Sequence, residues 1–229
     1  MRRIIYNKFD KSKISELPRA TFNGRIIVVQ TEAEAEKAVN YLLTKKLLGF
    51  DTETRPSFKK GITHQVALMQ VSDEETCFLF RLNMIDMPPA VIRLLEDQSV
   101  PKIGLSLTDD MMMLHKRADF SVGRFIDLQD YVCKLGIEDM SLQKLYANVF
   151  GQRISKRERL SNWENQVLSD KQKQYAATDA WACVKLYQEL SAMKESGDYE
   201  LIVVPEPEPV KDESVPVKDE SVPVQEENN

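Results

Sequence analysis

Leu47-Leu-Gly-Phe-Asp-Thr-Glu53 reads as a buried strand that stays apolar for four residues and then ends in two acids. Residues two apart on a strand project from one face, so Asp51 and Glu53 converge. Two bare carboxylates at that range repel and tend to take up a proton, and a cation between them resolves the conflict. A D-x-E triplet is common by itself, but ligand sites gather where the buried strands of α/β sheets end. Outward from this strand, β-rich runs at Arg25–Val29, Gln65–Val71, Cys77–Phe80 and Lys102–Leu107 alternate with helical stretches. Thr31 with Glu34 forms a capping box for a helix through Leu43, and the strands after it lie close enough in sequence to pair as an antiparallel meander. Beyond Leu107 the pattern turns almost wholly helical, with Thr108, Ser141 and Ser169 placed as N-caps. Ser169 and Gln172 make a second capping box, opening a long helix toward Ala192. The order predicts an α/β protein with a ribonuclease H-like mixed sheet flanked by helices.

The composition sets bounds on this reading. The 229 residues, 42% hydrophobic, hold enough apolar material for one catalytic domain. The longest apolar runs, Ile26–Val29 and Leu201–Val204, are far short of the roughly 20 residues of a membrane span, so no membrane partner is expected. Tyr6 to Pro18 is polar and carries no apolar signal region, which leads to an expectation of a cytoplasmic protein. Cys77, Cys133 and Cys183 lack C-x-x-C spacing and read as buried thiols, not as a disulfide framework or a zinc site.

Along the chain, an N-terminal arm at 1–24 precedes the domain at 25–195, and a connecting segment at 196–204 leads to an acidic tail at 205–229. Within that tail Val210–Pro216 recurs unchanged as Val217–Pro223, and a proline in each repeat forbids a continuous helix. Its composition predicts disorder. The last 25 residues carry eight acids against Lys211 and Lys218, which accounts for the net charge of −5 and leaves a near-neutral body. Net charge therefore does not exclude a nucleic-acid partner, for which local basic patches suffice.

Two further acidic features join the first. Asp109-Asp110 stands where strand Lys102–Leu107 passes into a helix over Thr108–Arg117. Acids there favour a helix N-terminus through its dipole, with or without a further role. Asp110 is one turn before Leu114 and so belongs beside a core-facing position, which favours it over Asp109. In Tyr175-Ala-Ala-Thr-Asp179 the tyrosine and the aspartate stack one turn apart on the Ser169 helix, and Ala176 and Ala177 permit a close neighbour. Asp179 is surrounded by Ala180, Trp181, Ala182, Val184 and Leu186, so its charge needs a partner, either an arginine or a metal.

Taken together, these elements resemble the DEDD superfamily of 3′-5′ exonucleases, in the subclass with a tyrosine four residues before the last aspartate. The resemblance spans roughly residues 25–195 and is closest to the ribonuclease D and Werner-syndrome-type branch. It rests on Gly49-Phe-Asp-Thr-Glu53, on Lys102-Ile-Gly104 leading to Asp110, on Phe125-Ile-Asp-Leu128, and most specifically on Leu160-Ser-Asn-Trp163 followed by Leu168-Ser-x-x-Gln172-x-x-Tyr175-Ala-Ala-Thr-Asp179. It implies a two-metal hydrolysis of phosphodiester bonds in DNA or RNA, within DNA repair or RNA processing. Asp51 would bridge both cations, Glu53 and Asp179 complete one site, and Asp110 support the other. Oxygen ligands suit magnesium or manganese. Tyr175 would orient the attacking water, since a phenol with an ordinary pKa near 10 is a poor base at neutral pH. A catalytically inactive nucleic-acid-binding or protein-interaction module on the same fold is the alternative, and the presence of all four acids with Tyr175 disfavours it. Around the site, Phe58 in the loop Arg55–Gly61 is expected to stack on a base, and Lys156, Arg157 and Arg159 to contact phosphates. Trp163 reads as core. His64 and His115 lack ligand-like spacing, and no protein partner can be named.

Overall fold

The computed structural model describes residues 2–205. The acidic repeat expected as a disordered tail lies outside the described residues apart from Pro205. Six strands form the central sheet: β2 (Arg25–Val29), β3 (Leu48–Thr54), β4 (Val66–Ser72), β5 (Thr76–Phe80), β6 (Lys102–Gly104) and β7 (Phe125–Asp127). Their order across the sheet is β2-β5-β4-β3-β6-β7. The expected meander is there: β4 runs antiparallel to both β3 and β5, while β2 joins β5 and β6 joins β3 and β7 in parallel. The sheet is mixed, as the fold class required.

The alternation along β3 sets the layers. Leu48 and Phe50 are buried on one face with α1 (Glu32–Leu42), α3 (Pro89–Glu96) and α4 (Leu107–His115). The other face is covered by α7 (Asp170–Ser196), with α5 (Leu128–Cys133) and α6 (Leu142–Phe150) against it. Helix α7 opens with the capping box of Ser169 and Gln172 and runs past Ala192 to Ser196, where Gly197 takes the left-handed conformation at φ 68° and ends it. It is held down by Leu186 and Leu190, both fully buried, and a leucine in that state contributes about 1.5–3 kcal/mol. A short helix α2 (Leu82–Ile85) links β5 to α3. The N-terminal β1 (Arg3–Tyr6) pairs in parallel with β8 (Tyr199–Ile202), and Ile5 joins the core beneath α6 and α7. Among the described residues no helix is long and apolar enough to cross a membrane.

Three local expectations are corrected. Helix α4 starts at Leu107 with Ser106, not Thr108, as its cap, and the preceding strand ends at Gly104 instead of Leu107. The cause is tertiary. The Asp127 carboxylate accepts the N–H groups of Ser106 (3.0 Å) and Leu107 (2.7 Å), which holds Ser106 in a left-handed conformation at φ 63° and turns the chain early. Phe125–Asp127 is an edge strand within a half expected to be helical; three residues are too few to display a period. Cys77 and Cys183 are buried, but Cys133 is exposed at the end of α5, turned away from the core side carried by Leu128 and Val132.

Candidate active site

Strand β3 and helix α7 meet backbone to backbone. A Cβ on Gly49 would lie 1.8 Å from the carbonyl oxygen of Ala180, so only glycine fits, and α7 offers alanines at 176, 177 and 180 along this face. Two and four residues farther along the same face of β3 stand Asp51 and Glu53. This approach brings them to Asp179, and the three carboxylates present oxygens within 4.8 Å of one another. Thr52, pointing to the opposite face, donates its hydroxyl to Asp110 on the first turn of α4. Asp110 is half-buried and Asp109 exposed, which supports the choice made from register. Asp110 therefore stands beside the cluster of three, not inside it.

Electrostatic crowding is severe at this point. Burial raises Asp51 well above the usual carboxylate range, and the charges of Asp110 and Asp179 add to it. Glu53 is pushed up to about 10, first by burial and then by Asp51, Asp179 and Asp110. Asp179 rises to about 7 by burial, against the opposing effects of the Tyr175 hydroxyl and Lys156, and Asp110 to about 6, again mainly by burial. Asp179 Oδ1 is buried with no hydrogen-bond partner among the described residues. Of the two partners expected for Asp179, the arginine is not there: the basic groups that reach these acids are Lys156 and Arg159, which act from a distance without forming ion pairs. Three converging hard oxygen donors and an orphaned anionic acceptor fit a divalent cation.

Tyr175 lies one turn before Asp179, buried, with its ring 5.9 Å from that of Trp163. Burial, followed by the charges of Asp179, Glu53 and Asp51, drives its pKa upward, so the phenol stays protonated. Asp51, Glu53, Asp179 and Tyr175 line a cleft of about 250 Å³ whose rim includes Lys156 and Arg159, whereas Asp110 is not part of its wall. Arg157, two residues before Arg159, is exposed and does not line this cleft. Phe58 is 84% exposed in the loop between β3 and β4 and is also absent from the cleft wall. That loop is tied at both ends to Glu164, by Arg55 (3.0 Å) and by His64 Nδ1 (3.1 Å). Trp163 is fully buried, as expected, and His115 stacks on Phe120.

Several supporting residues escaped the sequence reading. Gln70 donates to Asp51 Oδ2 at 3.0 Å across the β3–β4 ladder, Thr52 holds Asp110, and Asp127 caps α4 while also capping α5 through Gln129 N–H. Thr52 lay between two acids and Asp127 inside the Phe125-Ile-Asp-Leu128 stretch, though neither role was read from them. Gln70 depends on pairing register.

The 3′-5′ exonuclease family model matches residues 26–195. A mouse protein, the bifunctional 3′-5′ exonuclease/ATP-dependent helicase WRN, is 35% identical over 184 residues, which is 76% of this chain and 13% of the mouse protein. An Arabidopsis thaliana 3′-5′ exonuclease is 31% identical over 209 residues, covering 83% of this chain and 73% of the relative. Among solved structures, the EXO domain of Aedes aegypti Nibbler shares the fold with a TM-score of 0.71 at 17% identity, covering 79% of this chain and 95% of that one.

Proposed function

The chain belongs to the 3′-5′ exonuclease family, and from that premise we propose that it removes nucleotides from the 3′ end of DNA or RNA with two divalent cations, magnesium or manganese, held by Asp51, Glu53, Asp110 and Asp179. The observation that carries this reading is the cluster of three converging carboxylates, Glu53 and Asp179 buried and Asp51 half-buried, with Asp179 Oδ1 left unpartnered. A binding module has no use for so costly an arrangement.

When bound, divalent cations would supply Lewis acidity for the attacking water and for the charge on the departing 3′ oxygen. The chain's own residues do the rest. Asp51, whose carboxylate converges with those of Glu53 and Asp179 and feels the charge of Asp110, would hold the cations together with them. Tyr175, kept protonated by its surroundings, orients the water through its hydroxyl and does not take the proton. Lys156 and Arg159 meet phosphates at the rim, with Arg157 and Phe58 as outer contacts to backbone and base. Because the acids address the phosphate, DNA and RNA strands both satisfy this chemistry.

The test uses 5′-labelled single-stranded DNA, DNA with a recessed 3′ end, and RNA, each with magnesium, manganese or chelator. A ladder shortening from the 3′ end is expected with either cation, lost in chelator and in Asp51→Ala. Products cut internally, or a ladder that survives chelation, would overturn the proposal.

A further inference from the structure

Strand β4 is wholly buried, and its residues are apolar except for Ser72 at the end and one amide in the middle, Gln70. Gln70 is completely inaccessible to solvent, and its Oε1 has no hydrogen-bond partner among the described residues. An amide with one end unmet in such a wall opposes folding, because it lost water and gained only part of what water gave. A leucine or methionine there would fit the neighbouring Leu68 and Met69 better. What the amide does make is a single bond: Nε2 donates to Asp51 Oδ2 at 3.0 Å, from the position directly opposite Asp51 in the β3–β4 register.

We propose that Gln70 is a positioning residue for the metal centre, kept in the core to fix the carboxylate of Asp51. The carboxylate of Asp51 converges with those of Glu53 and Asp179, ligand oxygens within 4.8 Å of one another, and a carboxylate on a strand has other rotamers into which it can turn away from such neighbours. A donor rooted in the adjacent strand fixes the plane of the group and leaves its other oxygen for an ion. The donor must also be neutral. A lysine or arginine in that position would hold Asp51 equally well but would compensate the charge that attracts the cation. A glutamine gives the anion a partner without neutralising it. This inference rests on the reading of Asp51 as a metal ligand, and it places the cost of the site partly in a residue that never touches substrate.

The experiment compares the wild-type chain with Gln70→Leu and Gln70→Met, the latter keeping the side-chain length in case leucine packs poorly. Thermal unfolding is followed in chelator and across a manganese titration without substrate, and kcat and KM are measured at saturating manganese. In chelator the variants should melt at or above the wild-type temperature. Their manganese half-saturation should rise about 10- to 100-fold, the range for losing a partner that orients a metal ligand. At saturating metal kcat should fall while KM stays within about twofold, since the strand-gripping rim is untouched. Variants that melt well below wild type in chelator yet bind manganese as it does would show a packing residue and overturn the proposal. A wild-type chain with no manganese-dependent stabilisation would overturn the metal reading and the role of Gln70 with it, whereas a responding wild type with equally responding variants overturns the role of Gln70 alone.

Discussion

Asp51, Glu53 and Asp179 stand on a strand and a helix that touch backbone to backbone, whereas Lys156, Arg157 and Arg159 stand on an irregular loop with all three side chains exposed. The acids have a single workable geometry, fixed by the Gly49–Ala180 contact and by hydrogen bonds from Gln70 and Thr52. The basic residues belong to no strand or helix. Bond cleavage demands that oxygen ligands be held to within a fraction of an ångström, and only packed elements do that. On the proposed reading the contrast also separates energies: the acid wall, costly to fold, would carry the chemistry, and the basic wall, cheap to fold, the affinity.

The sharpest way to break this contrast is Asp179→Asn. Losing one anionic donor from the centre should lower kcat by about 1,000-fold, at the upper end for one electrostatic group in an active site. The same change should raise the melting temperature in chelator, because a carboxyl buried among other carboxyls is replaced by a neutral amide of equal size. Kinetics at saturating manganese and calorimetry in chelator check the two halves. A variant that is slower and also less stable would show that Asp179 holds the fold as well as the metal.

The second way uses pH. Asp51, Glu53 and Asp179 are all raised, so the folded metal-free chain keeps protons that the unfolded chain releases above about pH 4. The folded state then binds more protons than the unfolded one, and the stability of the metal-free protein falls as pH rises from there toward the value of about 10 reached by Glu53. A cation displaces those protons, so its apparent affinity should rise by about tenfold per pH unit for each proton released between about pH 6 and 8. Melting curves with and without manganese should therefore diverge as pH increases. Curves that stay a constant distance apart would mean that the acids are already ionised, with the crowding relieved by some other group.

This division also explains what could be read from the sequence. Asp51, Glu53, Tyr175 and Asp179 were legible because spacings of two on a strand and four on a helix are local rules, and because Ser169 and Gln172 announce the start of α7. The antiparallel meander was legible from the short spacers between its strands. The start of α4 was not. It is set by Asp127, 20 residues from Leu107 in sequence, which overrides the local preference for Thr108. Gln70 escaped for a similar reason: its meaning depends on lying opposite Asp51, and register between strands is not written in either strand alone. Arg157 and Phe58 were expected because their loops adjoin the motifs in sequence, and that position cannot say which residues of a loop face the cleft.

The smallest expected effect falls on the basic wall. Lys156→Ala combined with Arg159→Ala should raise KM for a single-stranded substrate by about tenfold and leave kcat within about twofold, the pattern of a lost uniform contact. Two phosphate contacts fewer should also make the slope of log affinity against log salt shallower by about 1.4, at about 0.7 per contact for single strands. Arg157→Ala, outside the cleft, should change both by less. The two walls are not wholly independent, because Arg159 lowers the pKa of Glu53 and Lys156 that of Asp179. The double variant should thus need somewhat more manganese, and titrating the metal at each salt concentration separates that contribution from phosphate binding. If kcat falls as far as KM rises even at saturating metal, the loop takes part in the chemical step and the separation of grip from cleavage fails.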